Sequence, residues 1–545
     1  MAQKNLFNLK TKGSKASDSK ILDQKKKRKT VSDITYVTGD NLKDAVLRAA
    51  SMSKRILGKV LDRLELVTTE ERLDEYLEVI IKNGKASIDS ETTGLDTMHD
   101  IIAGLCLYTE GEKGIYIPLN HISHMTHGKL KSNVSIEYIK KFLQKIADLN
   151  IKTIYHNAKF DMEFIYWHIG VKMNAPWWDT MIASFLLNEN EPHSLKVLHK
   201  KYVLAGSDDV QEAKFNSLFQ GITFTLIPPE TGYMYAAYDP IMTWELAHFQ
   251  LPYLTPGTPE CSSSNLERVS EVYYNIELPL IPVLMDMEIT GVTIDVEYLA
   301  ELRAKFQAKL DAAQGKFDEA VSFYEDDIAK LRLQDYAKFS KLETTREGKP
   351  RVSISSPTQL AILLYDVLGL KSNDQKKPRG TGADILDAMN HPVTDAIREY
   401  RQYDKLMSTY MSMDKHQSVL TGRVHTNYKQ YGAATGRMSS EEPNLQNIPA
   451  RGEGKIVRQV FTATKGYKLV GSDYSQQEPR ALASLSNDAN MIQSYVDQLD
   501  LYAVIGSKIY KVPYEECQEH WPDGTPHPEG KKRRNSCKSV LLGQH

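Results

Sequence analysis

Apolar and polar positions alternate with helical period from about Leu42 onward. Thr68 with Glu71 three residues later reads as a capping box opening a helix. Leu73, Tyr76, Leu77, Ile80 and Ile81 give that helix one apolar face. Ala86-Ser87-Ile88-Asp89 then reads as a strand, with 101–108 and 114–118 as its neighbours. A helix is predicted over 135–148, a short strand at 153–156, and a helix from about Lys159. This alternation predicts an α/β sheet. A Pro/Gly/Ser-rich stretch at 252–264 marks a boundary, after which 296–340 shows apolar spacing of three and four. Helical character runs to about Lys415, and strand signals near 423–430 and 468–472 open a second α/β region.

A length of 545 residues predicts several domains, at about 150 residues each. Hydrophobic residues at 41% and charged ones at 25% fit a soluble globular chain. No apolar run is long enough to span a membrane, so no membrane partner is expected. No secretory signal is read at the N-terminus. Cys106, Cys261, Cys517 and Cys537 lack zinc-ligand spacing and predict free thiols in a cytoplasmic protein. The net charge of −2 confines any nucleic-acid affinity to local patches. One patch is the tail over residues 1–30, with ten Lys or Arg against two Asp. It reads as disordered: a solvated tail, an arm that holds DNA or, in a eukaryote, a nuclear signal.

Three segments before residue 250 place acids near strand ends or on helices. Asp89 and Glu91 share a strand face, because side chains alternate with period two. Two acids aimed one way repel unless a cation lies between them, and Mg²⁺ takes such oxygen ligands. The second segment is His156-Asn157-Ala158-Lys159-Phe160-Asp161, and the third is Tyr235-Ala236-Ala237-Tyr238-Asp239. Tyr235 and Asp239, four apart, are expected on one helix face. Singly, each also reads as a solvated strand end or a packing pair. In this order, with Thr92-Thr93-Gly94-Leu95 behind the first, they resemble the DEDDy 3′→5′ proofreading exonucleases, with a ribonuclease H-like fold, over roughly residues 60–250. The resemblance implies that Asp89, Glu91, Asp161 and Asp239 bind two Mg²⁺ or Mn²⁺ ions. It implies that Tyr235 orients the attacking water and that Asn157 helps place the substrate. Trp177-Trp178-Asp179-Thr180-Met181 matches a helical segment of these domains, its tryptophans read as core or as base-stacking residues.

Farther on stand Thr435-Gly436-Arg437-Met438, Pro443-Asn444-Leu445-Gln446-Asn447 and Asp473-Tyr474-Ser475-Gln476-Gln477-Glu478-Pro479-Arg480. These resemble the palm of family A, polymerase I-like, DNA polymerases. Residues 277–295, 355–360 and 400–406 resemble the family's thumb, and 530–543 its fingers helix. The resemblance implies that Asp473 and the Tyr474 carbonyl bind metal and that Glu478 is the steric gate against ribose. It places Arg437, Gln446 and Asn447 on template or primer, and Arg534 and Lys538 on the incoming triphosphate. Pro479 and Leu542 depart from the family's usual leucine and aromatic residue.

The expected organisation is α/β and α+β multidomain: a basic tail (1–40), an exonuclease domain (41–252), a helical thumb (265–420), a first part of the palm (421–490) and truncated fingers (491–545). In the family the fingers helix goes on to a Tyr-Gly pair, whose tyrosine would come just after His545, and no His-Asp-Glu motif of the later palm hairpin is found in the sequence. The expectation is therefore an N-terminal piece of a phage-type polymerase, its exonuclease site complete and its polymerase site incomplete. Expected partners are primer-template and single-stranded DNA, dNTP, and a C-terminal polymerase fragment. The alternatives are a stand-alone 3′→5′ exonuclease and a non-catalytic DNA-binding subunit.

Overall fold

Lys85–Thr92 is the centre of a six-stranded sheet in the computed structural model, which describes residues 40–123, 125–205, 219, 221–335, 340–344 and 350–543. The strands are β1 (Leu64–Leu66), β2 (Lys85–Thr92), β3 (Ile102–Tyr108), β4 (Gly114–Pro118), β5 (Lys152–Tyr155) and β6 (Trp178–Asp179). Their order is β1-β4-β3-β2-β5-β6. The strands β2, β3 and β4 pair antiparallel, which short connections allow. The pairs β2–β5 and β5–β6 are parallel and need crossovers. Helices Ile136–Asp148 and Ala158–Ile169 supply them. This is the α/β sheet expected from the alternation of strands and helices. The basic tail lies, but for Asp40, outside the described residues.

Apolar cores cover both faces of the sheet. One gathers Leu73, Tyr76 and Ile80 with Phe142, Ile146 and Phe164. The other gathers Val46, Leu198, Phe224, Met234 and Ile241 with Cys106 and Tyr116 of the sheet. The first predicted helix is present as Glu70–Asn83, but its cap is Thr69, whose hydroxyl accepts from the Arg72 amide at 3.4 Å. Burial of Leu73, Tyr76 and Ile80 fixes the helix start one residue later than the Thr68–Glu71 pattern suggests.

The 252–264 stretch changes the architecture without ending the compact unit. Helix Asp239–Leu254 runs through Pro252, and Tyr273 beyond the stretch packs its ring 4.7 Å from that of Trp178. The Tyr273 hydroxyl accepts from the Asp179 amide at 2.9 Å. Lys159 pairs with Glu288, whose carboxylate also accepts from the Tyr428 amide. The helical spacing over 296–340 forms two helices, Val296–Ser322 and Glu325–Gln334, parted at Phe323–Tyr324. Val296–Ser322 packs on Pro392–Thr409. The strand signal at 423–430 becomes Asn427–Lys429, paired with Ser439–Glu441.

This first compact unit ends at Thr462, and the second spans Ala463–His545. Within the second, helices Gln477–Ser486, Ala489–Val496, Leu501–Tyr510 and Pro528–Leu542 follow one another. The strand predicted at 468–472 is absent: the segment is irregular, with Leu469 and Val470 exposed. A strand is held by a neighbour's backbone bonds, and among the described residues nothing pairs with this one.

Candidate active site

Asp89 and Glu91 leave β2 on the same sheet face, as period two dictates. Antiparallel register sets Cys106 of β3 opposite Asp89 and Gly104 opposite Glu91. Ligand atoms of Asp89, Glu91 and Cys106 all lie within 4.8 Å of one another. Burial holds the Asp89 carboxyl well above the ordinary carboxylate range, and the charges of Asp161, Asp239 and Glu91 push it further. Burial and then Asp239 do the same to Glu91. The Cys106 thiol is likewise pushed up, by burial and by the surrounding carboxylates.

Asp161 reaches the end of β2 from helix Ala158–Ile169. Its Oδ1 accepts from the Ser90 amide at 3.0 Å and from the Ser90 hydroxyl at 2.6 Å. Burial lifts its pKa to about 7 against those two bonds, which favour the ionised form. The helix itself is fixed by Asp179, at 1% exposure. Asp179 Oδ2 accepts from the Ala158 amide at 2.7 Å, while Oδ1 accepts from Met181 and Ile182 at 2.9 and 3.1 Å. One buried carboxylate thus caps two helix starts. Asn157 precedes the Asp161 helix with φ of 77°, a left-handed conformation that Asn tolerates.

Tyr235 and Asp239 do not share one helix. Tyr235 lies in the last turn of Pro229–Ala236, and Asp239 begins Asp239–Leu254. Ala237 and Tyr238 between them keep right-handed helical angles, so the spacing still brings both side chains to one place. What joins them is Lys196, which none of the acidic motifs includes. Lys196 Nζ donates to Tyr235 Oη at 2.7 Å and to Asp239 Oδ2 at 3.1 Å. Asp239 Oδ1 is buried with no hydrogen-bond partner. Burial pushes the Tyr235 hydroxyl up, Asp239 adds to that, and Lys196 opposes it. The signal in the sequence was a lysine among the inward residues Leu195, Leu198 and His199 of one short helix.

Four carboxylates held above their ordinary range by burial, and in Asp89 and Glu91 also by neighbouring carboxylates, fit hard divalent cations. The orphaned Asp239 oxygen fits the same reading, because a buried acceptor without a donor is costly unless something occupies it. The tryptophan segment divides: Trp178 is fully buried in β6, while Trp177 is half-buried against the same core, with Lys85 Nζ 4.7 Å and Lys152 Nζ 5.4 Å from its ring. The segment is a strand followed by helix Thr180–Leu187, not one helix, because β6 pairs with β5.

The residues assigned to synthesis fall in both compact units. Arg437, Gln446 and Asn447 are exposed in the first. Asn444 Oδ1 accepts from the Gln446 and Asn447 amides at 3.0 and 3.2 Å and shapes their turn. In the second, Asp473 and Tyr474 are exposed on the irregular segment, and Glu478 opens helix Gln477–Ser486. Pro479 sits in the first turn of that helix, where a missing N–H costs nothing. Arg534 is bound within its unit: Nε donates to Asp500 Oδ2 at 2.6 Å and Nη1 to Glu519 Oε1 at 3.0 Å. Its guanidinium lies 5.1 Å from the Tyr502 ring centre. Burial raises the Tyr502 hydroxyl, which also feels Arg534, Asp500 and Glu478. Lys538 lies one turn after Arg534 on helix Pro528–Leu542.

A family model described as 3′-5′ exonuclease matches residues 64–252, the part of the chain that holds the carboxylates. A second, described as DNA polymerase family A, matches residues 327–524. The chain is similar to DNA polymerases of family A. It is 30% identical over 476 residues to DNA polymerase I of Chloroflexus aurantiacus, covering 85% of itself and 44% of that protein. It is 27% identical over 481 residues to the DNA polymerase of Escherichia phage T5, covering 82% of itself and 51% of that protein. The chain therefore spans about half the length of these relatives. A solved structure, the POL domain of Pol1 from M. smegmatis in complex with DNA primer-template and dNTP, superposes with a TM-score of 0.64 at 21% identity. That likeness covers 88% of this chain and 70% of that one, and shows the shared polymerase fold.

Proposed function

We propose that this chain is a divalent-metal-dependent 3′→5′ exonuclease that removes nucleotides from DNA ends, within a polymerase of family A. The carrying observation is the convergence of Asp89, Glu91, Asp161 and Asp239, with Tyr235 beside Asp239. Two Mg²⁺ or Mn²⁺ ions held by these carboxylates supply an activated water and neutralise charge on the scissile phosphate. Tyr235 remains protonated at neutral pH, so it orients the water by hydrogen bonding and does not take its proton. Lys196 fixes the tyrosine oxygen. Ser90 holds Asp161, and Asp179 holds the helix that carries it. Asn157, next to Asp161's helix, is the proposed substrate-positioning residue. DNA, single-stranded at its 3′ end, is the proposed substrate, and the cytoplasm the proposed location.

The test uses 5′-labelled single-stranded DNA with Mg²⁺ or with EDTA. A ladder shortening from the 3′ end is expected with Mg²⁺ only. Asp89→Ala combined with Glu91→Ala should abolish it, and full activity in that double variant would refute the site assignment.

The match over residues 327–524 supports a second reading in the same chain, a part in template-directed synthesis. Asp473 and the Tyr474 carbonyl are proposed metal ligands, Glu478 the steric gate, Arg534 and Lys538 the triphosphate contacts. Arg437, Gln446 and Asn447 are proposed to touch primer-template. Primer extension by this chain alone, and after adding a segment that carries a second palm aspartate, tests both this reading and the expected partner. Processive synthesis by the chain alone would remove the need for that partner.

A further inference from the structure

Cys106 is the one member of the inner carboxylate group that the exonuclease chemistry does not use. It faces Asp89 directly across the antiparallel ladder, and paired residues of such strands point to the same sheet face. The thiol is fully buried, and its sulfur and the Asp89 and Glu91 oxygens fall within 4.8 Å of one another. The sulfur belongs to the apolar core on that sheet face and at the same time borders the two acids. Donor chemistry gives it a consequence. Hard ions such as Mg²⁺ take oxygen ligands and pass over sulfur. Soft or borderline ions take thiolate readily, and a site offering one sulfur and several carboxylate oxygens within reach suits them.

We propose that Cys106 is a sulfur ligand built into the exonuclease metal site, so that thiophilic divalent ions, Cd²⁺ and Zn²⁺, bind through Cys106, Asp89 and Glu91 and displace the Mg²⁺ that supports activity. Binding exchanges the S–H bond for a metal–sulfur bond and releases the proton to water, with no change of oxidation state. The proposal rests on the exonuclease reading for its effect on activity, but not for the binding itself.

The experiment titrates the full chain with Cd²⁺ in the absence of Mg²⁺ and follows thiolate-to-cadmium charge-transfer absorbance. Wild type is expected to show a saturating band that Cys106→Ser and Cys106→Ala both lack, above the background of the other three cysteines. Asp89→Ala with Glu91→Ala should weaken the same band. The Cd²⁺ concentration that halves each protein's own Mg²⁺-supported nuclease rate should rise at least about tenfold in either cysteine variant. Should one substitution prevent folding, the other carries the comparison. Equal bands in wild type and a folded cysteine variant would overturn the sulfur ligand while leaving the exonuclease reading intact. A band lost with Cys106 in a chain without Mg²⁺-dependent nuclease would support the ligand and overturn the exonuclease reading.

Discussion

Lys196 donates to the hydroxyl of Tyr235 at 2.7 Å while its ammonium lies 3.9 Å from the centre of the same ring. The same ammonium reaches Asp239. A cation therefore ties the residue expected to orient water to a residue expected to hold metal.

Removing that cation should act in two directions. Lys196→Ala releases Tyr235, and misplacement of an orienting group by about 1 Å costs roughly a hundredfold in rate. It also removes a positive charge from Asp239, so half-saturating Mn²⁺ should fall. Turnover and Mn²⁺ titrations together check this. A lower rate with unchanged or weaker Mn²⁺ binding would mean that Lys196 only supports the local structure.

Ser90 should tune the acid limb of activity. Metal binding requires ionised carboxylates. Asp161, with its pKa lifted to about 7, is therefore expected to make activity at subsaturating Mg²⁺ rise with pH through that region. Ser90→Ala removes a hydrogen bond that favours the ionised form, so the limb moves to higher pH. Well below the limb the rate should drop roughly tenfold for each pH unit that the limb moves. A pH–rate profile that stays in place would show that the hydroxyl has no such role.

Acid stability should depend on His121. Its Nδ1–H donates to the Ile227 carbonyl at 2.7 Å, and Nε2 accepts from Tyr116 Oη at 2.5 Å. The Tyr116 bond needs the neutral ring, and burial lowers the pKa to about 4 against the Ile227 bond, which the charged ring can also make. In the unfolded chain the value is about 6.5. The contribution is thus complete above about pH 6.5 and is lost as pH falls toward 4, up to ~3 kcal/mol. Thermal melts across this window should fall more steeply for wild type than for His121→Gln, and parallel curves would contradict it.

Gly114 should be intolerant for a reason that reaches the site. A Cβ there would stand 2.3 Å from the Ala237 carbonyl oxygen, in the link between Tyr235 and Asp239. Gly114→Ala is expected to cost about 1–3 kcal/mol and to lower nuclease activity by displacing Asp239. Gly58→Ala, where nothing lies within 4 Å of the new Cβ, should be close to neutral. Melting temperatures and nuclease rates for the pair decide it.

The sequence by itself determined the sheet-and-helix alternation, the shared face of Asp89 and Glu91, and the order of the acidic motifs. Period two and period 3.6 are local, and a strand end or helix turn can be read from neighbours in the chain. It also determined the polymerase resemblance, because each of its motifs is contiguous in the chain. Only the tertiary structure decided that Cys106 stands opposite Asp89. Strand β3 is apolar throughout, so no alternation shows which face each residue takes, and register comes from pairing with β2. Only the tertiary structure brought Lys196 to Tyr235 and Asp239, across separations of 39 and 43 residues. It also divided the expected Tyr235–Asp239 helix in two and left 468–472 without a strand partner. Ladder bonds and ion pairs between distant segments form only when packing delivers both partners, and no local pattern encodes that delivery.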